Sequence, residues 1–76
     1  MNRYQYINQN IERIKKDVRL GLIPVSVLRH YEIYSRYDYY RKTGEKICCS
    51  VLFTSEDMTV NESWINKIRK SMEMPV

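Results

Sequence analysis

One histidine, His30, and two adjacent cysteines, Cys48 and Cys49, are the residues of this 76-residue chain best suited to serve as base, nucleophile or soft metal ligand. Nucleophilic or acid–base catalysis needs a second group within hydrogen-bond reach, and no such pairing occurs at a suggestive spacing. His30 stands between Arg29 and Tyr31, where a packed or surface imidazole is the ordinary outcome. A zinc site needs ligands in spaced pairs, and a glycine-rich phosphate loop needs glycines close together, whereas Gly21 and Gly44 stand far apart; neither pattern is present. Adjacent cysteines on a helix point in different directions, so a bond between them would be strained. They read as small apolar residues in a reducing cytoplasm. The expectation is a non-enzymatic protein with no cofactor, no metal and no small-molecule substrate.

Non-covalent recognition is better served. Glu62, Ser63, Asn66, Lys67 and Lys70 fall on the polar side of a C-terminal helix whose apolar side is Ile65, Ile68 and Met72. Five of the seven tyrosines lie between residues 31 and 40, interleaved with Arg36 and flanked by Arg29, Arg41 and Lys42. Three roles are open to them. Their rings can fill a small core while the hydroxyls stay wet, anchor a dimer, or form a stacking platform for single strands.

The elements that position these residues are helical. Tyr4, Ile7, Ile11, Ile14 and Val18 recur at spacings of three and four, so 1–20 is expected to be one amphipathic helix. That seam spans about two heptads, which suits docking on its own domain or a dimer contact rather than a free coiled coil. Gly21 is placed to end it, Pro24 to open the next, and the apolar residues around them are expected to plug the base of the core. A Tyr-rich helix follows over 24–42. Thr43 is positioned to cap a third helix running to about Asp57, and Asn61 to cap a fourth running to about Glu73. Thr59 and Glu62 form a competing capping box that would start the fourth about two residues earlier. No strand-like alternation, repeat or low-complexity segment is present, so the fold class is all-α: one domain over 1–76, a small bundle of about four helices.

Composition sets the bounds. A chain of this length buries only about 60% of its unfolded surface, so its core is marginal and a dimer would help it. The hydrophobic share of 43% and charged share of 29% are those of an ordinary globular chain. The net charge is +4, divided as +3 over residues 1–40 and +1 over the remainder. Charge alone therefore does not single out the C-terminal helix; placement on one face must do so. No apolar run nears the roughly 18 residues needed to cross a bilayer, and a cytoplasmic location is expected.

The segment from Leu52 to Ile68 resembles the helix-turn-helix of small bacterial DNA-binding proteins, within 44–73. Ser55 stands where that motif puts a small residue so that the second helix packs closely across the first. Met58 and Val60 flank the turn, and Ile65 and Ile68 anchor the second helix. Thr59 occupies the place where the turn tends to need positive φ and usually carries Gly. The resemblance implies sequence-specific binding of double-stranded DNA and transcriptional regulation, with helix 61–73 in the major groove. It places Glu62, Ser63, Asn66, Lys67 and Lys70 at base edges, Asn66 suiting adenine, Lys67 guanine and Glu62 a cytosine amino group. Lys46, Thr54, Asn61 and Arg69 would meet phosphates. A homodimer through the N-terminal helix or the Tyr-rich helix would supply a second half-site. The competing expectation is a helical protein-interaction module, antitoxin-like or a phage accessory factor, that does not bind DNA.

Overall fold

A computed structural model describes residues 1–76, and these form five helices and no β-strand. They are α1 (Arg3–Gln9), α2 (Ile11–Arg19), α3 (Val25–Lys42), α4 (Ile47–Met58) and α5 (Glu62–Met72). The all-helical class is as the residue periodicities imply.

The first twenty residues do not form a single rod. Asn10, with φ −113° and ψ 21°, interrupts the helix, and its side-chain amide donates to the Tyr6 carbonyl at 2.8 Å. Such local bonding by Asn competes with helix continuation. The break lets α1 reach α5 while α2 follows α3. It also consumes the apolar seam internally: Ile14 is buried and Tyr4, Ile7, Ile11 and Val18 are half-buried. Asn2 opens α1 with a reciprocal capping box to Gln5.

Two glycines end helices by the same device. At Gly21 (φ +77°) the Gly21 and Leu22 N–H groups donate to the Val18 and Asp17 carbonyls, and at Gly44 (φ +96°) those of Gly44 and Glu45 donate to Arg41 and Tyr40. Both are Schellman closures, which need a left-handed residue just past the helix. Thr43 belongs to the second of these: its hydroxyl donates to the Tyr40 carbonyl at 2.8 Å, and it does not cap the following helix. That helix, α4, starts at Ile47 without any side-chain cap.

Helix α3 is the spine, in contact with all four other helices. Ile33 is fully buried, and Tyr34 and Tyr37 nearly so, against Val51 of α4 and Ile65, Ile68 and Met72 of α5. Tyr4, Ile7, Tyr31, Met58 and Val60 close the rim of this cluster. The chain ends meet: the Arg3 N–H donates to the Met74 carbonyl at 2.9 Å, and the Val76 N–H to that of Met1 at 3.2 Å.

Two apolar expectations are corrected here. Leu20, Leu22 and Val25, at the connection from α2 to α3, are 62%, 72% and 72% exposed and do not plug the core. The three- and four-residue spacing of Ile47, Val51, Leu52, Ser55 and Met58 implies that these share the inward face of α4. The helix is instead rotated so that Ser50, Val51 and Thr54 are buried, Ser55 and Met58 half-buried, and Ile47 and Leu52 exposed. Small residues face inward there because α3 and α5 both pack on this helix; larger side chains would hold them apart.

Candidate functional site

The corner between α4 and α5 is built from three residues, Thr59-Val60-Asn61. Thr59 is the only residue other than glycine with positive φ (56°, with ψ 47°). A β-branched side chain in that region is uncommon and costs stability. Several contacts hold it there. The Thr59 N–H donates to the Ser55 carbonyl, as does that of Val60 at 3.2 Å, and the Ser55 hydroxyl donates to the Val60 carbonyl at 2.5 Å. Val60 is half-buried against the core. Asn61 then caps α5, its side-chain oxygen accepting from the Trp64 N–H at 3.2 Å. The start from Asn61 holds, and the competing Thr59–Glu62 box does not form.

The sequence-named recognition residues divide by exposure. Ile65, Ile68 and Met72 are buried, and Ser63, Lys67 and Lys70 recur at i, i+4 and i+7 on the opposite, exposed side. Neither lysine has a carboxylate within 4.0 Å, since the ion pairs of the chain are Arg36–Asp57, Lys42–Asp38 and Arg69–Glu73. Asn66 is half-exposed beside this stripe. Glu62 is exposed in the first turn of α5, where the positive end of the helix dipole favours a carboxylate. Asn61 is exposed, but its oxygen is engaged in the cap. Lys46 is exposed at the start of α4.

Two expected phosphate contacts are turned elsewhere. Thr54 is completely buried, and its hydroxyl donates to the Ser50 carbonyl at 2.7 Å, so it lies in the core and reaches no external phosphate. Arg69 is half-buried: its guanidinium sits 5.8 Å from the Tyr37 ring centroid, and its Nε lies 4.0 Å from Glu73 Oε1. It clamps α5 against α3 rather than pointing outward.

Trp64 is 42% exposed and packs edge-on against His30 of α3, with centroids 5.4 Å apart. The lone histidine is thus a packing partner for the lone tryptophan.

The tyrosines mostly serve the interior. Tyr34 and Tyr37 are buried, and the Tyr34 hydroxyl donates to Glu73 at 3.0 Å. Burial, then the hydrogen bond and negative charge of Glu73, push the Tyr34 hydroxyl well above its usual range. The Tyr40 hydroxyl donates to Asp57, which raises its pKa, and its ring packs on Phe53. Tyr31 stacks on Tyr4 and donates to Asn8 at 2.6 Å. Tyr39 alone of the five is exposed, so no run of free rings is presented for stacking.

One feature had no strong sequence signal. Along the outer side of α3, Tyr31, Glu32, Ser35, Arg36 and Tyr39 meet Met58 of α4 around an open groove of about 470 Å³. The spacing from Tyr31 to Tyr39 is legible in the chain. The approach of Met58, 19 residues further on, is not.

Comparison of the chain with known protein families, with characterised proteins and with solved structures finds no significant match to any of them.

Proposed function

We propose that this protein binds double-stranded DNA without catalysing a reaction, placing α5 in the major groove as the second helix of a helix-turn-helix, and that it regulates transcription as a homodimer. The observation that carries this reading is the exposed stripe Ser63–Lys67–Lys70, whose lysines are free of ion pairs, on a helix fully anchored by its opposite side. Ammonium groups without an internal partner can exchange water and counterions for phosphate oxygens or guanine edges at little cost in lost protein contacts. The tight corner at Thr59 supports the reading by fixing the second helix against the first. Base contacts are proposed for Ser63, Asn66, Lys67 and Lys70, with Glu62 at the cytosine-compatible end. Lys46 and the amino-terminal turn at Asn61 are proposed for phosphate.

One such helix reads few base pairs, so a second copy is proposed on an adjoining half-site about one helical turn away. Because the seam of α1 and α2 is used internally, the strongly exposed Leu20, Leu22 and Val25, at the end of α2 and the start of α3, are proposed for pairing.

Selection on random duplex DNA followed by anisotropy titration tests the reading. Lys67→Ala and Asn66→Ala are each expected to weaken the selected duplex by about 1–3 kcal/mol, and Lys67→Ala to lower the log–log salt slope by about 0.9 per copy bound. Binding without salt dependence, or effects below about 1 kcal/mol from both substitutions, refutes the assignment of α5. The exposed Trp64 favours a second reading, docking of another protein on the flank of α5. In that case Trp64→Ala abolishes partner binding while Lys67→Ala leaves it intact.

A further inference from the structure

The groove on the outer side of α3 has its chemistry divided along its length. Glu32 and Arg36 are one helical turn apart, a spacing that normally brings such a pair together at about 5–6 Å between Cβ atoms. They do not pair. Arg36 leans toward α4, its Nε 3.8 Å from Asp57, with its guanidinium 6.0 Å from the Tyr39 ring centroid. Glu32 is exposed and has no cation within 4.0 Å. The groove therefore presents an uncompensated carboxylate and, one turn further on, a guanidinium whose one ion pair, to Asp57, is long.

The walls between them are largely apolar, and Tyr31 is held in place by its stack on Tyr4 (5.5 Å) and by its hydrogen bond to Asn8. Tyr39 is exposed and meets the neighbouring Tyr40 ring edge-on (5.4 Å). Met58 supplies an adaptable thioether opposite them. A preorganised ring such as Tyr31 reduces the ordering cost of binding. The volume, about 470 Å³, lies within the usual range for small-ligand sites.

We infer that this groove binds a zwitterionic α-amino acid with an aromatic or long apolar side chain. The ammonium meets Glu32, the carboxylate meets Arg36, and the side chain lies against Tyr31, Tyr39 and Met58. A cation without a carboxylate would leave Arg36 unused, and an anion without an ammonium would face the free charge of Glu32. A ligand carrying both signs a few ångströms apart, with an apolar body, satisfies both charged groups and the apolar walls, and Ser35 is already paired with the Tyr4 hydroxyl at 3.3 Å. The inference does not depend on DNA binding, and its test contains no nucleic acid.

The test is an NMR titration of the full chain, read at the Met58 methyl and the Tyr31 and Tyr39 ring signals. The probes are L-phenylalanine, phenethylamine (no carboxylate) and 3-phenylpropionate (no ammonium). L-Phenylalanine is expected to shift these signals saturably with a dissociation constant of about 1 mM, as suits so small a ligand in an open groove. Each analogue is expected to bind at least about tenfold more weakly. Glu32→Gln should weaken L-phenylalanine about tenfold while leaving 3-phenylpropionate unchanged or tighter, because Glu32 repels it. Arg36→Gln should weaken L-phenylalanine and 3-phenylpropionate and leave phenethylamine unchanged or tighter. No saturable shift from L-phenylalanine up to about ten times that concentration overturns the inference. So do analogues that bind the wild-type chain as tightly as L-phenylalanine, a result that needs no substituted protein.

Discussion

Replacing Thr59 by glycine is expected to stabilise this protein, although it removes a side chain. Thr59 sits at φ 56° and ψ 47°, where an L-residue other than Gly or Asn carries a steric cost of about 1–2 kcal/mol. Its side chain is exposed and makes no hydrogen bond, so truncation forfeits no buried contact. The backbone bond from the Thr59 N–H to the Ser55 carbonyl is retained. Against the relief stands the greater freedom of glycine in the unfolded chain, about 0.5–1 kcal/mol. The net expectation is a gain of about 0.5–1 kcal/mol, or a rise in Tm of about 2–8 °C for a domain of this size. Thr59→Ala serves as control, since alanine keeps the Cβ that clashes and should change stability by no more than about 0.5 kcal/mol. Urea unfolding followed by far-ultraviolet circular dichroism at constant m measures both. A destabilised Thr59→Gly, or an alanine variant as stable as the glycine variant, would refute the left-handed corner and with it the fixed placement of α5 on α4.

Three further substitutions probe the frame around that corner. Ile33→Ala empties a site with no solvent exposure at the centre of the core and should cost about 2–5 kcal/mol, enough to leave much of this small domain unfolded by calorimetry. Asn61→Ala removes the acceptor of the Trp64 N–H and should cost about 1 kcal/mol in urea unfolding, with increased amide exchange in the first turn of α5. Tyr34 carries a pH dependence. Burial and Glu73 make the folded protein hold this phenolic proton more tightly than the unfolded chain, whose value lies near 10. Its contribution is therefore complete below about pH 10 and is lost as the pH climbs beyond 10 toward the raised folded value. Unfolding free energies measured from pH 8 to 11 should fall less steeply above pH 10 in Tyr34→Phe than in the parent chain; parallel curves would refute this role for the hydroxyl.

Local chemistry was legible where local groups settle the outcome. Gly21 and Gly44 end helices because their own backbone must enter the left-handed region, and Asn61 caps α5 through an atom of its own side chain. The faces of α5 were also legible, since Ile65, Ile68 and Met72 recur at spacings of three and four over about two turns, with polar residues between them. Helix α4 misled because its apolar residues, Ile47, Cys48, Cys49, Val51, Leu52 and Phe53, run nearly all round it. Periodicity then cannot choose a face, and two neighbouring helices decided in favour of the side carrying Ser50 and Thr54. Arg69 misled for a related reason. It looks like a surface cation in the chain, and only the approach of Tyr37 from α3 shows that it is drawn inward.

The sequence by itself determined an all-helical chain, the ends of most helices, the start of α5 at its Asn cap, and an exposed Ser63–Lys67–Lys70 stripe. Each of these depends on interactions within about one or two turns, which the order of residues states directly. Tertiary structure decided the break at Asn10 that docks α1 and α2 separately, the burial of Thr54, the inward turn of Arg69, the exposure of Leu20, Leu22 and Val25, and the groove that joins Met58 to α3. These depend on which helix lies across which. That choice is made by packing among residues far apart in the chain, where small free-energy differences in filling one core outweigh local preference.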